Sequence, residues 1–265
     1  VDPGKNVLLP EPYFPLYGPD VGLWGGEGRF YECLFDNEFI PTIEHLESLV
    51  DDDTVAILYN FPSNPTGATI TVEQRDELLA FAQRHDLWII TDEVYDRIVF
   101  DGEHVSFVGC DDERVILINS FSKTFAMTGW RIGYVTAPKF MISEMEKLME
   151  HMDSGVTTIS QRAAFAAPQG PQDCVGEMLA EYKRRRKVLY EGLRDIDGIN
   201  CMLPEGTFYA FTNISALNKS SLEFATYLLR QHKVAVVPGR VFGKNGKGIF
   251  ASLSLWKRKQ LKRGA

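Results

Sequence analysis

TVAILYNFPSNPTGATITVEQRDELLAFAQRHDLWIITDEVYD, residues 54–96, is the stretch on which the fold turns. It opens with one apolar run, TVAILY at 54–59, and nearly closes with another, LWIIT at 87–91. Between them Gln74 stands three residues after Thr71, the spacing of a capping box, and Leu78, Leu79, Phe81 and Ala82 fall on one face of a helix. Neither apolar run alternates with polar residues. A strand that is apolar on both sides is buried on both sides, which is the condition of a parallel sheet covered by helices.

Working outward, NVLLP at 6–10, RVILIN at 114–119 and WRIGYV at 130–135 are runs of the same kind. They predict an α/β domain, with a mostly parallel sheet flanked by helices in the doubly wound manner, over residues 1–160. From about Gln172 the pattern changes to a long charged helix beginning at Asp173. Short strands around 199–203 and 207–214, a helix near 221–232 and a strand at 234–238 follow, and predict a smaller α+β domain over 161–265. No repeat or flexible linker separates the two halves, so 155–170 reads as a helical crossover and the cleft between the domains as the binding site.

The chain has 265 residues, 45% hydrophobic and 24% charged, an ordinary globular composition. Its net charge of -8 opposes polyanionic partners, so neither nucleic acid nor an anionic membrane surface is expected. The basic ending LWKRKQLKRGA at 255–265 reads as a solvated tail. Cys33, Cys110, Cys174 and Cys201 are far apart, with no Cys-x-x-Cys pair, so no disulfide framework and no metal site is expected, and a reducing cytoplasmic location fits. No stretch approaches the roughly 20 apolar residues that span a bilayer.

Three motifs follow predicted strands, at the carboxyl ends where ligands of open α/β sheets bind. They are NFPSNPTG at 60–67, TDEVYD at 91–96 and SFSKTFAMTGWRIGY at 120–134. Each alone has a plain reading: turn chemistry, a helix start, a solvated lysine. Together and in this order they resemble the class I and II aminotransferases of the fold-type I pyridoxal-phosphate superfamily, over nearly the whole chain.

The resemblance implies a cofactor, pyridoxal 5′-phosphate, held as a Schiff base on Lys123. It also implies an activity that moves an amino group from an L-amino acid to a 2-oxo acid. Lys123 matches the family lysine, a nucleophile that then carries a proton as acid and base. Asp92 matches the carboxylate that keeps the cofactor's ring nitrogen protonated. Tyr95 resembles the tyrosine on its phenolic oxygen, and Asn64 the asparagine on that oxygen and on the substrate carboxylate. Ser120, Ser122 and Arg131 would supply donors and charge to the phosphate. Phe14, in PEPYFPLYG at 10–18, takes the place of the aromatic ring stacked on the cofactor, with Tyr13 and Tyr17 as its neighbours one alignment slip away. Core packing for Tyr95 and Phe14, a turn for Asn64 and an ion pair elsewhere for Arg131 are the structural alternatives. PEGTFYAF at 204–211 and VVPGRVFG at 236–243 resemble the family's closing segment.

Two departures accompany the resemblance. Relatives carry, ahead of the point where this chain opens, a glycine-containing turn and helix that hold the cofactor's phosphate, so the polypeptide reads as a fragment. Where relatives clamp the substrate carboxylate with an arginine, this chain has Ala251 or Ser252; Arg240 is the candidate substitute, and a reading-frame change near 248 is one account of the basic ending. A lyase with the same cofactor on the same fold and a catalytically incomplete homologue are therefore the alternative functions. The family implies a homodimer.

Overall fold

The structure, a computed structural model, describes residues 1–110, 113–244, 246 and 248–252, the last four by their backbone alone. Its first sheet has six strands: β1 (Asn6–Glu11), β2 (Glu27–Glu32), β3 (Thr54–Asn60), β4 (Trp88–Asp92), β5 (Val115–Ser120) and β6 (Gly133–Thr136), in the order β2-β1-β3-β4-β5-β6. β1 runs parallel to both β2 and β3, and β3, β4 and β5 continue the parallel run. β6 closes the sheet antiparallel to β5. The mostly parallel α/β architecture expected from the apolar runs is the one observed.

Both faces are covered, as the lack of polar alternation requires. On one side Leu8, Ile57, Tyr59 and Ile89 pack with Leu78, Phe81 and Ala82 of a helix at Val72–Arg84. Its Thr71–Gln74 capping box is formed in both directions. On the other side Val7, Leu9, Ala56 and Leu58 meet Tyr17 and Val21 of the first helix, α1 (Tyr17–Leu23). Four further helices, the first a single turn, complete the connection to the second sheet. We number the six in chain order: α2 is the Val72–Arg84 helix, α3 (Phe121–Thr124) a short turn of helix after β5, then α4 (Lys139–Asp153), α5 (Thr158–Gln169) and α6 (Asp173–Arg194).

Two differences from the sequence reading have physical causes. β2, EGRFYE, has no apolar run because it is an edge strand in which only Tyr31 is buried; charged residues are tolerated at an edge. The strand expected at 130–135 begins only at Gly133. Thr128–Trp130 forms a 3-10 turn and Arg131 takes a left-handed conformation at φ 49°, which turns the chain back against β5. Gly133 is needed there: a Cβ would stand 2.7 Å from the Asn119 carbonyl oxygen.

The second sheet has four strands, β7 (Asn200–Cys201), β8 (Tyr209–Asn213), β9 (Val237–Pro238) and β10 (Gly248–Ser252), in the order β7-β8-β10-β9. The strands at 200 and 237 are two residues each, shorter than expected, and the helix expected near 221–232 is formed as α-helix over Ser221–Tyr227 and π-helix over Leu228–His232. Residues 204–207 stitch this sheet to the first. Glu205 and Gly206 both donate their N–H groups to Gly67 O, Phe100 N–H to Glu205 O, and Thr207 N–H to Ile98 O. Arg186 of α6 braces the seam, its guanidinium 4.6 Å from the Phe100 ring and bonded to Pro204 O and Asp101 Oδ2.

Candidate active site

Register brings the site together. Asn60 pairs with Asp92 across β3 and β4, and Asp92 with Ile118 across β4 and β5, so the ends of three parallel strands finish side by side. Asn60 ties two of them, its Nδ2 donating to the Asp92 carbonyl at 2.9 Å. Beyond β5 the chain turns into α3, capped by Ser120, whose Oγ accepts the Ser122 N–H at 3.1 Å. That turn sets Lys123 over the ends of the strands.

The Lys123 side chain is half-buried, its Nζ 5.7 Å from the centroid of the Tyr95 ring and 5.6 Å from that of Phe208. Burial foremost lowers its pKa below the ordinary 10.5, the Asp92 carboxylate works against that, and Arg131 adds to it. Asp92 lies within electrostatic reach of Lys123. Its Oδ2 accepts a 2.6 Å hydrogen bond from the Tyr17 hydroxyl and its Oδ1 the N–H of Val94 at 3.2 Å. Burial raises its pKa above 3.8, against the lowering effect of these two bonds and of Lys123. Residues 94–97 form turns rather than helix, so Asp92 caps no helix.

Tyr95 is buried and donates its hydroxyl to Tyr209 Oη at 2.8 Å; burial raises its pKa well above 10. Asn64 donates its backbone N–H to Asn60 Oδ1, and its own Oδ1 is buried without a hydrogen-bond partner. Phe14 is 37% exposed, its ring edge-on to Tyr17 at 5.6 Å, a rim position. Ser120 donates its hydroxyl to Ile132 O, so its hydrogen points at backbone, and Ser122 is partly buried beside it. Arg131 is exposed with Nη1 on Thr128 O, within electrostatic reach of Lys123. Arg240 is exposed, its backbone N–H on Ser221 Oγ. The side chains of Ala251 and Ser252, and residues 253–265, lie outside the described residues.

Lys123, Asp92 and Tyr95 are thus brought together, with Asn64 on the adjoining turn. Four further residues join them that the motifs did not assign. Tyr17 entered the sequence reading only as a possible stacking ring; it is the first residue of α1, and its partner Asp92 lies 75 residues on. Asn60 stood unremarked at the head of its motif. Phe208 and Tyr209 lie in the 204–211 segment, whose site-facing residues no local pattern marks.

Among the described residues no group of three or more His, Cys, Asp or Glu side chains could hold a metal ion, and no helix is long and apolar enough to cross a membrane.

Comparison with known proteins places this geometry. The family model described as aminotransferase class I and II matches residues 1–254. The chain is 40% identical over 250 residues to an aspartate aminotransferase of Pyrococcus abyssi and 39% identical over 249 residues to aromatic-amino-acid aminotransferase 2 of Thermococcus litoralis. Each match covers 92% of this chain and 64% of the relative, so the chain spans less than two thirds of their length. The crystal structure of an aromatic aminotransferase from Pyrococcus horikoshii superposes with a TM-score of 0.96 at 37% identity, over 100% of this chain and 72% of that one. A lysine and a buried carboxylate at neighbouring strand ends, on this fold and with this likeness, settle the kinship: the chain belongs to the class I and II aminotransferase family.

Proposed function

We propose that this chain carries the cofactor site of a pyridoxal 5′-phosphate-dependent aminotransferase that moves an amino group from an L-amino acid to a 2-oxo acid. What carries the reading is the placement of Lys123 and Asp92 about Tyr95 at the strand ends: the Lys123 Nζ lies 5.7 Å from the Tyr95 ring centroid, and the amine and the carboxyl, each with its pKa displaced by burial, act on each other. The residues present fit the cofactor. Asp92 is a buried carboxyl whose hydrogen bonds come from a neutral hydroxyl and a backbone N–H, a place that a protonated ring nitrogen would complete. The unpartnered amide oxygen of Asn64 is an end that a ligand's donor would satisfy, or an acceptor with the amide turned over.

When bound, pyridoxal 5′-phosphate supplies an aldehyde that condenses with amines and a ring that draws electrons from the α-carbon of the amino acid. Lys123 is the nucleophile for that aldehyde: burial destabilises its ammonium form, so more of the amine is neutral near pH 7 than on an exposed lysine. The same Nζ, when free, would be placed to take the substrate's α-proton as a base and to return it as an acid. Asp92 would keep a proton on the cofactor's ring nitrogen, and Tyr17 and Val94 hold its carboxyl in place. Tyr95 and Asn64 are assigned to the phenolic oxygen, Asn64 also to the substrate carboxylate. Ser120, Ser122 and Arg131 are assigned to the phosphate, and Phe14 to the ring face.

The division into a cofactor domain up to about residue 160 and a smaller one beyond is part of the proposal, as are a cytoplasmic location and a homodimer. Support for the dimer comes from large apolar side chains left in solvent on α4 and α5, among them Phe140, Ile159 and Phe165. The relatives' names suggest aspartate and aromatic amino acids as the first donors to try. The test is one half-reaction: the protein loaded with pyridoxal 5′-phosphate is mixed with L-aspartate or L-phenylalanine and its products are separated. Pyridoxamine 5′-phosphate with the matching 2-oxo acid is expected, and is lost in Lys123→Ala. Release of carbon dioxide or a side-chain fragment without pyridoxamine 5′-phosphate would replace the reading by a lyase.

A further inference from the structure

Tyr95 reaches the site from the first sheet, but its hydroxyl partner comes from the second. Tyr209 is the first residue of β8, and its Oη lies 2.8 Å from that of Tyr95, the rings edge-on with centroids 5.6 Å apart. Phe208 packs edge-on against the same Tyr95 ring at 5.4 Å. The contact is not left to two flexible side chains. The segment leading into β8 is pinned by the Glu205 and Gly206 N–H groups on Gly67 O and by Thr207 N–H on Ile98 O. Gly206 fits only without a side chain, since a Cβ would approach Pro62 Cβ to 2.7 Å. Thr207, fully buried and in a left-handed conformation at φ 63°, then turns the chain and accepts the Tyr209 N–H on its Oγ1. Ile98, which takes the Thr207 bond, itself donates its N–H to Tyr95 O at 2.8 Å, so both tyrosines hang from one hydrogen-bonded frame.

From this we infer that Tyr209 is a positioning residue, whose hydroxyl orients and polarises that of Tyr95 toward the oxygen of the bound ring, and so ties the second sheet to the chemistry of the first. The assignment rests on the cofactor reading above. A phenol that accepts a hydrogen bond is a stronger donor, because successive bonds in a chain polarise one another. In the structure the Tyr95 hydroxyl donates to Tyr209; where a phenolic oxygen takes that hydrogen instead, the Tyr209 hydroxyl would donate to Tyr95 in its turn, and the strengthened bond would lower the proton affinity of the nitrogen beside that oxygen. The titratable groups facing Tyr95 are Asp92 from β4, Lys123 from α3, Tyr17 from α1, Tyr182 from α6 and Tyr209 from β8.

The experiment is a pH titration of the visible absorbance band of the chain loaded with pyridoxal 5′-phosphate, for the parent, Tyr209→Phe, Tyr95→Phe and the double variant. Phenylalanine keeps the ring packing, and thermal melts of the unloaded proteins confirm that each is folded. Tyr182→Phe is the control, a neighbouring phenol with no hydroxyl bond to Tyr95. The expected result is that Tyr209→Phe binds the cofactor and moves the midpoint upward by about half a pH unit, roughly a threefold change in proton affinity. Tyr95→Phe should move it further, and the double variant should match Tyr95→Phe alone, because Tyr209 acts only through Tyr95. An unmoved midpoint in Tyr209→Phe, an equal shift in Tyr182→Phe, or a Tyr209 effect that persists without the Tyr95 hydroxyl overturns the assignment. Absence of any band in the parent overturns the cofactor reading instead, and this one with it.

Discussion

Asp92 is where the chemistry of single residues is most exposed to test. Burial raises its pKa above 3.8, so the folded chain holds that proton more tightly than the unfolded chain does. Ionising it in the folded state therefore costs stability, which falls as pH rises from about the ordinary value through the raised one. The expected outcome is that Asp92→Asn, without cofactor, melts increasingly above the parent as pH climbs through that window, while the two converge in acid. Tyr17→Phe should enlarge the cost, since the 2.6 Å bond from Tyr17 is the largest influence holding the pKa down. A parent-minus-variant difference independent of pH would show that Asp92 does not titrate in the pocket described. At this scale the sequence was legible where chemistry demands a particular group. Lys123, Asp92 and Tyr95 follow strand ends in motifs, whereas Tyr17 and Tyr209 act through contacts 75 and 114 residues away in the chain, which no local pattern encodes.

Among elements, the strand-end turns and the seam between the sheets decide how well the site is held. Gly67 is the joint of that seam: its carbonyl takes two N–H groups from the 205–206 backbone, it sits at φ +78°, and a Cβ would meet Pro204 Cβ at 2.7 Å. Gly67→Ala is expected to cost about 1–3 kcal/mol of stability through the left-handed backbone and the clash together, measured by denaturant unfolding. It should also weaken the Tyr95–Tyr209 contact, because the 204–207 segment is displaced. A neutral substitution would mean that the seam is looser than its hydrogen bonds describe. The strands with apolar runs were readable because burial on both faces leaves no other composition; β2 was not, being an edge strand in which Glu27, Arg29 and Glu32 meet solvent. Residues 130–132 were read as the start of a strand because Trp130 and Ile132 are apolar, while the fold uses Arg131 and Gly133 to bend the chain.

For the whole molecule, two sheets joined by a braced seam place a lysine, a carboxyl and a phenol together at the strand ends, with the second sheet reaching in through Phe208 and Tyr209. The apolar side chains in solvent on α4 and α5 belong to this scale as well, and could not be read from composition because a helix face does not announce what covers it. The central claim is that Lys123 is the residue that takes the cofactor. The direct measurement is to incubate the chain with pyridoxal 5′-phosphate, reduce with borohydride, digest and map the modified peptide by mass spectrometry. The account predicts one phosphopyridoxyl group per chain, on Lys123, absent from Lys123→Ala and reduced in Asp92→Asn; label spread over surface lysines, or undiminished in Lys123→Ala, would contradict it.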